Sequence, residues 1–267
     1  MRSVYDALLS LNSIDNAHAA WADYRASLTA FISAHAKGGS CLIVGAGACN
    51  DIDLLQLSAH FDTVTLLDTD SEAMEQAKKQ YPSDRIVALR ADMLGVNADA
   101  YRAFDAGMQA DMRAGKSAEA LTAAFLQGME RLLLHAQPDP LPEADTLICC
   151  GVHSQLLAMF ARMAAVYARY APIDTQRIYK HISRHNAAFQ PAFNTRLLAA
   201  ARRTLVLGLE TERMGMPGGL EGAAQALADI SARHLSGIQA GLLWPFDAAQ
   251  NKLYRVRVMA IDRQKSE

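Results

Sequence analysis

The sequence predicts a doubly wound α/β fold in which a seven-stranded, mostly parallel sheet ends in an antiparallel hairpin. Three observations predict it: short apolar runs alternate with helical patterns, a glycine loop joins the first run to the first helix, and the last two runs lie close together near the C terminus. The predicted strands are Cys41–Val44, Val64–Leu67, Arg85–Leu89, Asp145–Cys150, Thr204–Glu210, Leu242–Phe246 and Lys252–Ile261.

Residues 1–37 are predicted to form two helices, because Ala, Leu and aromatic side chains recur there every three or four positions. Polar residues at 12–16 interrupt this pattern, and the sequence Lys-Gly-Gly-Ser at 37–40 predicts a turn into the first strand. We therefore expect an N-terminal helical segment over residues 1–39 and one α/β domain over residues 40–267.

The stretch from Cys41 to Asp70 is the predicted nucleotide-binding part of the sheet. Gly45 and Gly47 follow the first strand, and glycines let a ligand approach the backbone closely. The helical pattern that follows, from Asp51 to about His60, would present N–H donors at its start. Asp68 ends the next strand, where a carboxylate can accept both hydroxyls of a ribose.

The glycine loop does not fit two common nucleotide sites. A dinucleotide fingerprint has glycine at its first, third and sixth positions, which are Gly45, Gly47 and Asn50 here. No Tyr-x-x-x-Lys pair occurs for short-chain reductase chemistry, and no Gly-Lys-Ser/Thr follows this loop as in a P-loop. An oxidoreductase that uses NAD remains one alternative, and a non-catalytic protein that binds an adenosyl ligand is another.

Residues 40–92 resemble the cofactor motifs of class I (Rossmann-like) S-adenosylmethionine (SAM) dependent methyltransferases, and the predicted terminal hairpin matches the sheet of that family. Two positions depart from the family pattern. Ile43 stands where an acidic residue often supports the methionine end of the cofactor, and Cys49 replaces the last glycine of the loop. Asp51 or Asp53 could supply the missing carboxylate.

The resemblance implies SAM as cofactor and methyl transfer to an O, N or S atom of a small-molecule acceptor. It places the ribose at Asp68 and Thr69, and the adenine at Asp92 and Met93. The implied cofactor contacts are Gly45, Ala46, Gly47, Asn50, Asp68, Thr69, Asp92, Met93, Cys150 and Gly151.

The end of the fourth strand is where the resemblance places the reactive methyl group. Gly151 permits a sharp turn there, and His153 is the titratable side chain that follows. Histidine can accept a proton from a nucleophile near neutral pH, so His153 is the candidate catalytic base. Capping of the next helix or contact with the substrate is the alternative, because many methyltransferases need no base.

Two predicted helical regions have more than one possible role. Residues 97–137 predict a pair of helices, about 98–114 and 117–135, inserted as a lid beside the active site, as a buttress or as a homodimer surface. Arg177, His181, Arg184 and His185 share one helical face that could bind an acidic group. His181 and His185 also have the spacing of metal ligands, but the sequence offers no third ligand, so we predict no metal site.

Composition narrows the class of protein. The formal charge is −2, from 26 basic and 28 acidic residues, which gives no indication of nucleic-acid or membrane-surface binding. No apolar run approaches the roughly 20 residues that span a bilayer. The four cysteines form no Cys-x-x-Cys pair. Reduced, buried thiols in a cytoplasmic protein are expected. Residues 210–219, which follow the fifth predicted strand, predict a mobile, glycine-rich loop.

Overall fold

The structure, a computed structural model, describes residues 3–9, 14, 16–215, 220–235 and 237–263. The chain divides into two compact units. Unit 1 takes residues from 1–13, 92–139 and 155–188, and unit 2 takes residues from 14–91, 140–154 and 189–267.

Seven strands pair into one sheet in the described part of unit 2. They are β1 (Ser40–Val44), β2 (Thr63–Asp68), β3 (Ile86–Arg90), β4 (Ala144–Cys150), β5 (Ala201–Arg213), β6 (Ile238–Asp247) and β7 (Lys252–Asp262). Their order is β3-β2-β1-β4-β5-β7-β6. The first five strands are parallel, whereas β7 runs antiparallel to both β5 and β6. The predicted fold class, with its terminal antiparallel hairpin, is confirmed.

Besides the strands, the described residues form ten α-helices and one 3-10 turn. The helices are α1 (Val4–Leu9), α2 (Ala17–Ala20), α3 (Ala22–His35), α4 (Leu54–His60), α5 (Ser71–Gln80), α6 (Ala98–Arg113), α7 (Ala118–Leu134), α8 (Ala158–Tyr167), α9 (Thr175–Ala200) and α10 (Ala223–Ala232). The 3-10 turn is Ala248–Gln250. The predicted pair of helices within 97–137 is therefore confirmed as α6 and α7, each capped by the side chain at its N-terminus.

Burial explains which strands are central. In β1 every residue from Cys41 to Val44 is buried, as expected for a parallel strand that is covered on both faces. The outer strands β3 and β6 instead leave apolar side chains such as Val87 and Ile238 exposed. Pro245 lies in β6, an edge strand, where the N–H group that proline lacks is not needed by a neighbour.

A buried carboxylate ties the helices of unit 1 together. Asp105 of α6 is 1% exposed and accepts hydrogen bonds from the backbone N–H of Val4 and the hydroxyl of Tyr167, both at 2.7 Å. The amide of Gln109, one turn along α6, donates to both carboxylate oxygens at 3.1 Å. The Asp105 side chain thereby joins α1, α6 and α8, and its buried oxygen atoms have hydrogen-bond donors.

Two predicted boundaries were wrong for local reasons. The helix expected from Asp51 begins at Leu54, because the Asp53 side chain caps it by accepting from the N–H groups of Leu55 and Gln56. Strand β5 continues past Glu210 to Arg213, so residues 211–213 of the predicted loop belong to the strand. The register of β5 with β7 shifts between Glu210 and Glu212. Within the glycine-rich loop, residues 216–219 lie outside the described residues. Among the described helices, none is both long and apolar enough to cross a bilayer.

Candidate functional site

The turn after β1 is built by glycines in left-handed conformations. Gly45 has φ +72° and Gly47 has φ +49°. The N–H groups of Gly45 and Ala46 both donate to the carbonyl of Leu67 in β2, at 2.8 and 3.2 Å. A Cβ on Gly45 would overlap Cγ2 of Val152, whereas a Cβ on Gly47 would meet no atom within 4 Å. Gly45 is therefore required for packing, and Gly47 keeps the backbone open to approach.

The Asp68 carboxylate connects this turn to the end of β2. Its Oδ2 accepts from the N–H of Gly47 at 2.9 Å, and its Oδ1 accepts from the N–H of Asp70 at 2.9 Å. The hydroxyl of Thr69 lies 3.3 Å from the same Oδ1. The structure thus brings the loop and the acidic strand end together, as the sequence predicts, and a carboxylate has acceptor sites beyond these three donors.

Cys49 and Ile43, the two positions at which the sequence resemblance is incomplete, have different structural surroundings. Cys49 adopts φ +49°, a left-handed conformation that favours glycine, and its thiol is buried. Cys49 therefore has a backbone conformation that glycine adopts more readily than cysteine. Ile43 is buried in β1 and packs in the apolar core of unit 2, so no carboxylate lies at that position.

Asp51 and Asp53 were the two candidates to supply a carboxylate, and the structure separates them. Asp53 is the N-cap of α4, so one of its oxygens already serves the helix start. Burial raises the pKa of Asp51 to about 6, although the hydrogen bond from its own backbone and the charge of Arg25 oppose this effect. Arg25 also donates to the carbonyl of Asn50, at 2.9 Å. Asp51 is therefore a half-buried acid that burial disfavours as an anion.

The carboxyl ends of β4 and β5 bring a second acid into the site. The N–H of Gly151, which has φ +70°, donates to the carbonyl of Gly208 at 3.0 Å. Glu210 is 1% exposed, and its Oε1 accepts from the hydroxyl of Ser154 at 2.7 Å. Its Oε2 is buried with no hydrogen-bond partner among the described residues, and burial raises the pKa of Glu210. The thiol of Cys150, whose pKa burial also raises, packs against Gly208.

Aromatic rings cover this end of the sheet. Trp244 lies 3.4 Å from the position that a Cβ on Gly151 would take. Its ring stacks on Tyr24 with centroids 5.3 Å apart and meets Trp21 edge-on at 5.0 Å. The indole N–H of Trp21 donates to the carbonyl of Phe246 at 3.2 Å. The helix that contains Tyr24 therefore packs on β6, and the ring of Trp244 and Oε1 of Glu210 both lie within 4 Å of the Cβ position of Gly151.

Sequence reasoning did not select Glu210 or Trp244 as site residues. A signal for Glu210 was present, since it is an acidic residue at the end of a buried apolar run, as Asp68 is. No comparable signal identified Trp244, because its contacts with Tyr24 and Gly151 join positions far apart in sequence.

His153, the predicted catalytic base, is held in a buried network. The ring is 0% exposed, and Nε2 lies 2.9 Å from Oδ1 of Asn194. Because Nδ2 of Asn194 donates to the carbonyl of Ala226 and to Asp229, its Oδ1 must accept, which assigns the proton to Nε2 of His153. Burial lowers the pKa of His153 to about 4, so the ring is neutral at pH 7. The base role stays a prediction.

The two predicted adenine contacts belong to unit 1. Oδ1 of Asp92 accepts from the N–H groups of Leu94 and Gly95, at 2.9 and 2.8 Å, so the carboxylate caps the following turn. Met93 is buried. Capping was the alternative role for Asp92, and contact with adenine stays a prediction for both residues.

The basic face predicted on α9 is partly neutralised by acids of α7. Nη1 of Arg177 lies 2.8 Å from Glu119, and His181 and His185 both contact Glu130. These carboxylates weaken the hypothesis that the face binds an acidic group, because they already supply opposite charge.

Neither a protein-family model nor a curated protein matches the chain. Its fold is similar to that of a SAM-dependent methyltransferase from Aquifex aeolicus (11% identity, TM-score 0.46, covering 96% of this chain and 97% of that one). It is also similar to the N-methyltransferase NodS from Bradyrhizobium japonicum WM9 in complex with S-adenosyl-L-homocysteine (10% identity, TM-score 0.41, 98% and 88% coverage).

A structure concerned with the conversion of a disulfide bond into a thioacetal group during echinomycin biosynthesis is a third similar fold (14% identity, TM-score 0.46, 90% and 80% coverage). These likenesses concern the backbone. The class of fold itself follows from the strand order and directions given above.

The burial of His153 predicts a specific acid sensitivity. Its pKa is lowered from 6.5 to about 4, so the stability that it contributes is fully present above pH 6.5 and is lost as the pH falls toward 4. Between pH 7 and pH 4 the wild type should lose about 3 kcal/mol of unfolding free energy that the His153→Gln variant does not lose. Urea unfolding across this range measures it.

The His135→Gln variant, which replaces an exposed histidine, is the control. Its free energy of unfolding should depend on pH as that of the wild type does. Equal slopes for the wild type and His153→Gln would contradict the assignment of a neutral, desolvated ring.

Proposed function

We propose that the protein is a SAM-dependent methyltransferase that transfers a methyl group to an O, N or S atom of a small molecule. The observation that carries the proposal is the position of the Asp68 carboxylate, 2.9 Å from the amide of Gly47, at the carboxyl edge of β1 and β2. Ligands of open parallel sheets bind at that edge, and an acid there suits the two hydroxyls of a ribose.

The residues of this edge fit an adenosyl ligand. A Cβ atom placed on Gly47 would have no protein atom within 4 Å. The space beside the Gly47 backbone is therefore open to a ligand. Asp68 is half-buried and fixed by two backbone donors, so its carboxylate is already oriented. Fixing an acceptor before binding lowers the entropic cost of forming its hydrogen bonds to a ligand.

Asp51 is the residue that we assign to the ammonium group of the cofactor's methionine end. It replaces the acid that Ile43 does not provide, and Asp53 serves α4 instead. Burial raises the pKa of Asp51 to about 6, because the ionised carboxylate loses hydration there. A cation bound beside it would stabilise the ionised form by electrostatic attraction.

Glu210 and Ser154 are the residues that we assign to the methyl acceptor. When bound, SAM would supply a methyl group on a sulfonium: an O, N or S nucleophile would bond to the methyl carbon as its bond to sulfur breaks, leaving S-adenosylhomocysteine. The unpartnered Oε2 of Glu210 can accept a hydrogen bond, and then the proton, from that nucleophile. Ser154 holds the other oxygen in place, and Trp244 keeps water from the carboxylate.

A small acceptor is favoured over a nucleic acid because the charge of the chain is nearly balanced. An oxidoreductase that uses NAD is disfavoured, because the terminal hairpin replaces a continued parallel sheet and Asn50 stands at the sixth position of the fingerprint.

Calorimetric titration of the purified chain with SAM tests the cofactor. Micromolar binding is expected, and Asp68→Ala should weaken it by at least about tenfold, which is the loss of about 1.4 kcal/mol expected for a charged hydrogen bond. The exposed Asp84, changed to Ala, should leave the affinity unchanged. An absence of binding to both SAM and its demethylated product would rule out the proposal.

The role of Asp51 predicts how SAM affinity depends on pH. If binding needs the ionised carboxylate, the dissociation constant should rise about tenfold from pH 7 to pH 5, because the pKa of Asp51 is about 6. The Asp51→Asn variant should bind more weakly at pH 7 and lose this dependence. The same pH dependence in Asp51→Asn and the wild type would refute the assignment.

If Glu210 accepts the proton, replacing it should slow methyl transfer without weakening SAM binding. With an acceptor found by screening for release of S-adenosylhomocysteine, Glu210→Gln should lower kcat by about 100-fold or more, the usual contribution of a positioned base. Its affinity for SAM should stay within about threefold of the wild type. An unchanged kcat in a folded Glu210→Gln variant would exclude proton transfer to this residue.

A further inference from the structure

Three side chains of unit 1 meet at one point between two helices. Glu130 lies on α7, and His181 and His185 lie one turn apart on α9. Oε1 of Glu130 is 2.7 Å from Nε2 of His181 and 3.1 Å from Nε2 of His185. The two Nε2 atoms are 3.2 Å apart. The sequence predicted no metal site because it offered no third ligand, and Glu130 is a third candidate that the fold brings to the two histidines.

Hydrogen bonds alone do not account for all three short distances. If both imidazoles donate from Nε2 to Oε1 of Glu130, which can accept two hydrogen bonds, the 3.2 Å contact between the two nitrogens is not a hydrogen bond. If one ring donates to the other, it has no Nε2 hydrogen left for the carboxylate. A single cation between the three atoms satisfies every one of them at once.

We propose that Glu130, His181 and His185 form a binding site for one Zn²⁺ ion. Zinc in proteins takes imidazole nitrogens at about 2.0–2.1 Å and carboxylate oxygens at about 2.0–2.2 Å in a tetrahedral arrangement, which places neighbouring ligand atoms about 3.3 Å apart. Two of the observed distances, 3.1 and 3.2 Å, already match this spacing. The third, 2.7 Å, requires Glu130 to move by about half an ångström, and its side chain is 51% exposed and free to do so.

The ligand set favours zinc over the hard cations. Ca²⁺ and Mg²⁺ prefer oxygen ligands, whereas two imidazoles and a carboxylate are a known zinc set. The three protein ligands leave a fourth position, and the side chains of His181 and His185 are 22% and 26% exposed, so that position opens toward solvent. A site of this kind binds a water or another ligand in addition to the protein.

The two helices are held in register by contacts away from the three ligands. Glu119 of α7 pairs with Arg177 of α9 at 2.8 Å, and the hydroxyl of Thr122 accepts from the N–H of Asp174 at 3.0 Å, just before α9 begins. Sites built on fixed helices hold their ligands more rigidly than sites on loops. The ligand triangle is therefore prepared before an ion arrives, and it does not depend on the proposed methyl transfer.

Competition of the full-length, tag-free protein against a chromophoric zinc chelator, under reducing conditions after removal of bound metal, tests the site. One Zn²⁺ per chain is expected, with a dissociation constant at or below about 1 µM. His185→Gln and Glu130→Gln should each weaken binding by more than about tenfold. His135→Gln, which replaces an exposed histidine at the end of α7, should bind as the wild type does.

A thermal readout separates lost binding from lost folding. Zinc should raise the unfolding temperature of the wild type and of His135→Gln, because the ion binds only the folded site, but not that of Glu130→Gln. Circular dichroism confirms that each variant is folded before titration. Failure of the wild type to bind zinc more tightly than about 10 µM, or equal affinity in the wild type and a folded Glu130→Gln variant, would overturn the proposal.

Discussion

The hydrogen bond from the Gly47 amide to the Asp68 carboxylate is the contact on which the candidate site of unit 2 depends. It joins the turn after β1 to the end of β2, while the amides of Gly45 and Ala46 hold the same turn to the carbonyl of Leu67. Parallel pairing of β1 with β2 and β4 places Asp68 and Gly151 at one edge of the sheet. The candidate chemistry follows from this edge.

The same edge of the sheet holds buried titratable side chains, and some of their polar atoms have no hydrogen-bond partner among the described residues. Asp51 and Glu210 are acids whose pKa values are raised by burial, and His153 is a base whose pKa is lowered by it. Each group is thereby favoured in its neutral form, at a cost in folding stability that only a ligand or a neighbouring charge would offset. His153 has its neighbour in Asn194, whereas Oε2 of Glu210 has none among the described residues.

The fold could be predicted from the sequence because its signals are local. Glycines after a short apolar run, and an acid at the end of the next run, mark one turn of a parallel sheet wherever they occur. The predicted helices within 97–137 agree with α6 and α7 for the same reason, since capping residues such as Asn97 and Ser117 act within one helical turn.

The parts that sequence missed depend on distant contacts. Trp244 covers Gly151 only because β6 folds back along β7, and Glu130 reaches His181 only because α7 lies against α9. The left-handed conformation of Cys49 was equally hidden, because a non-glycine residue seldom has positive φ and its residue type gives no sign of it. Such pairings are fixed by packing, which periodicity in the sequence does not encode.

A crystal structure of the chain with S-adenosylhomocysteine is the most direct test of the account. The ribose hydroxyls should lie within hydrogen-bonding distance of the Asp68 carboxylate, beside Gly47, and the ammonium group should lie against Asp51. A ligand bound elsewhere in the molecule, or an ammonium group held away from Asp51 with the ribose away from Asp68, would contradict the central claim that this edge of the sheet is an adenosyl site.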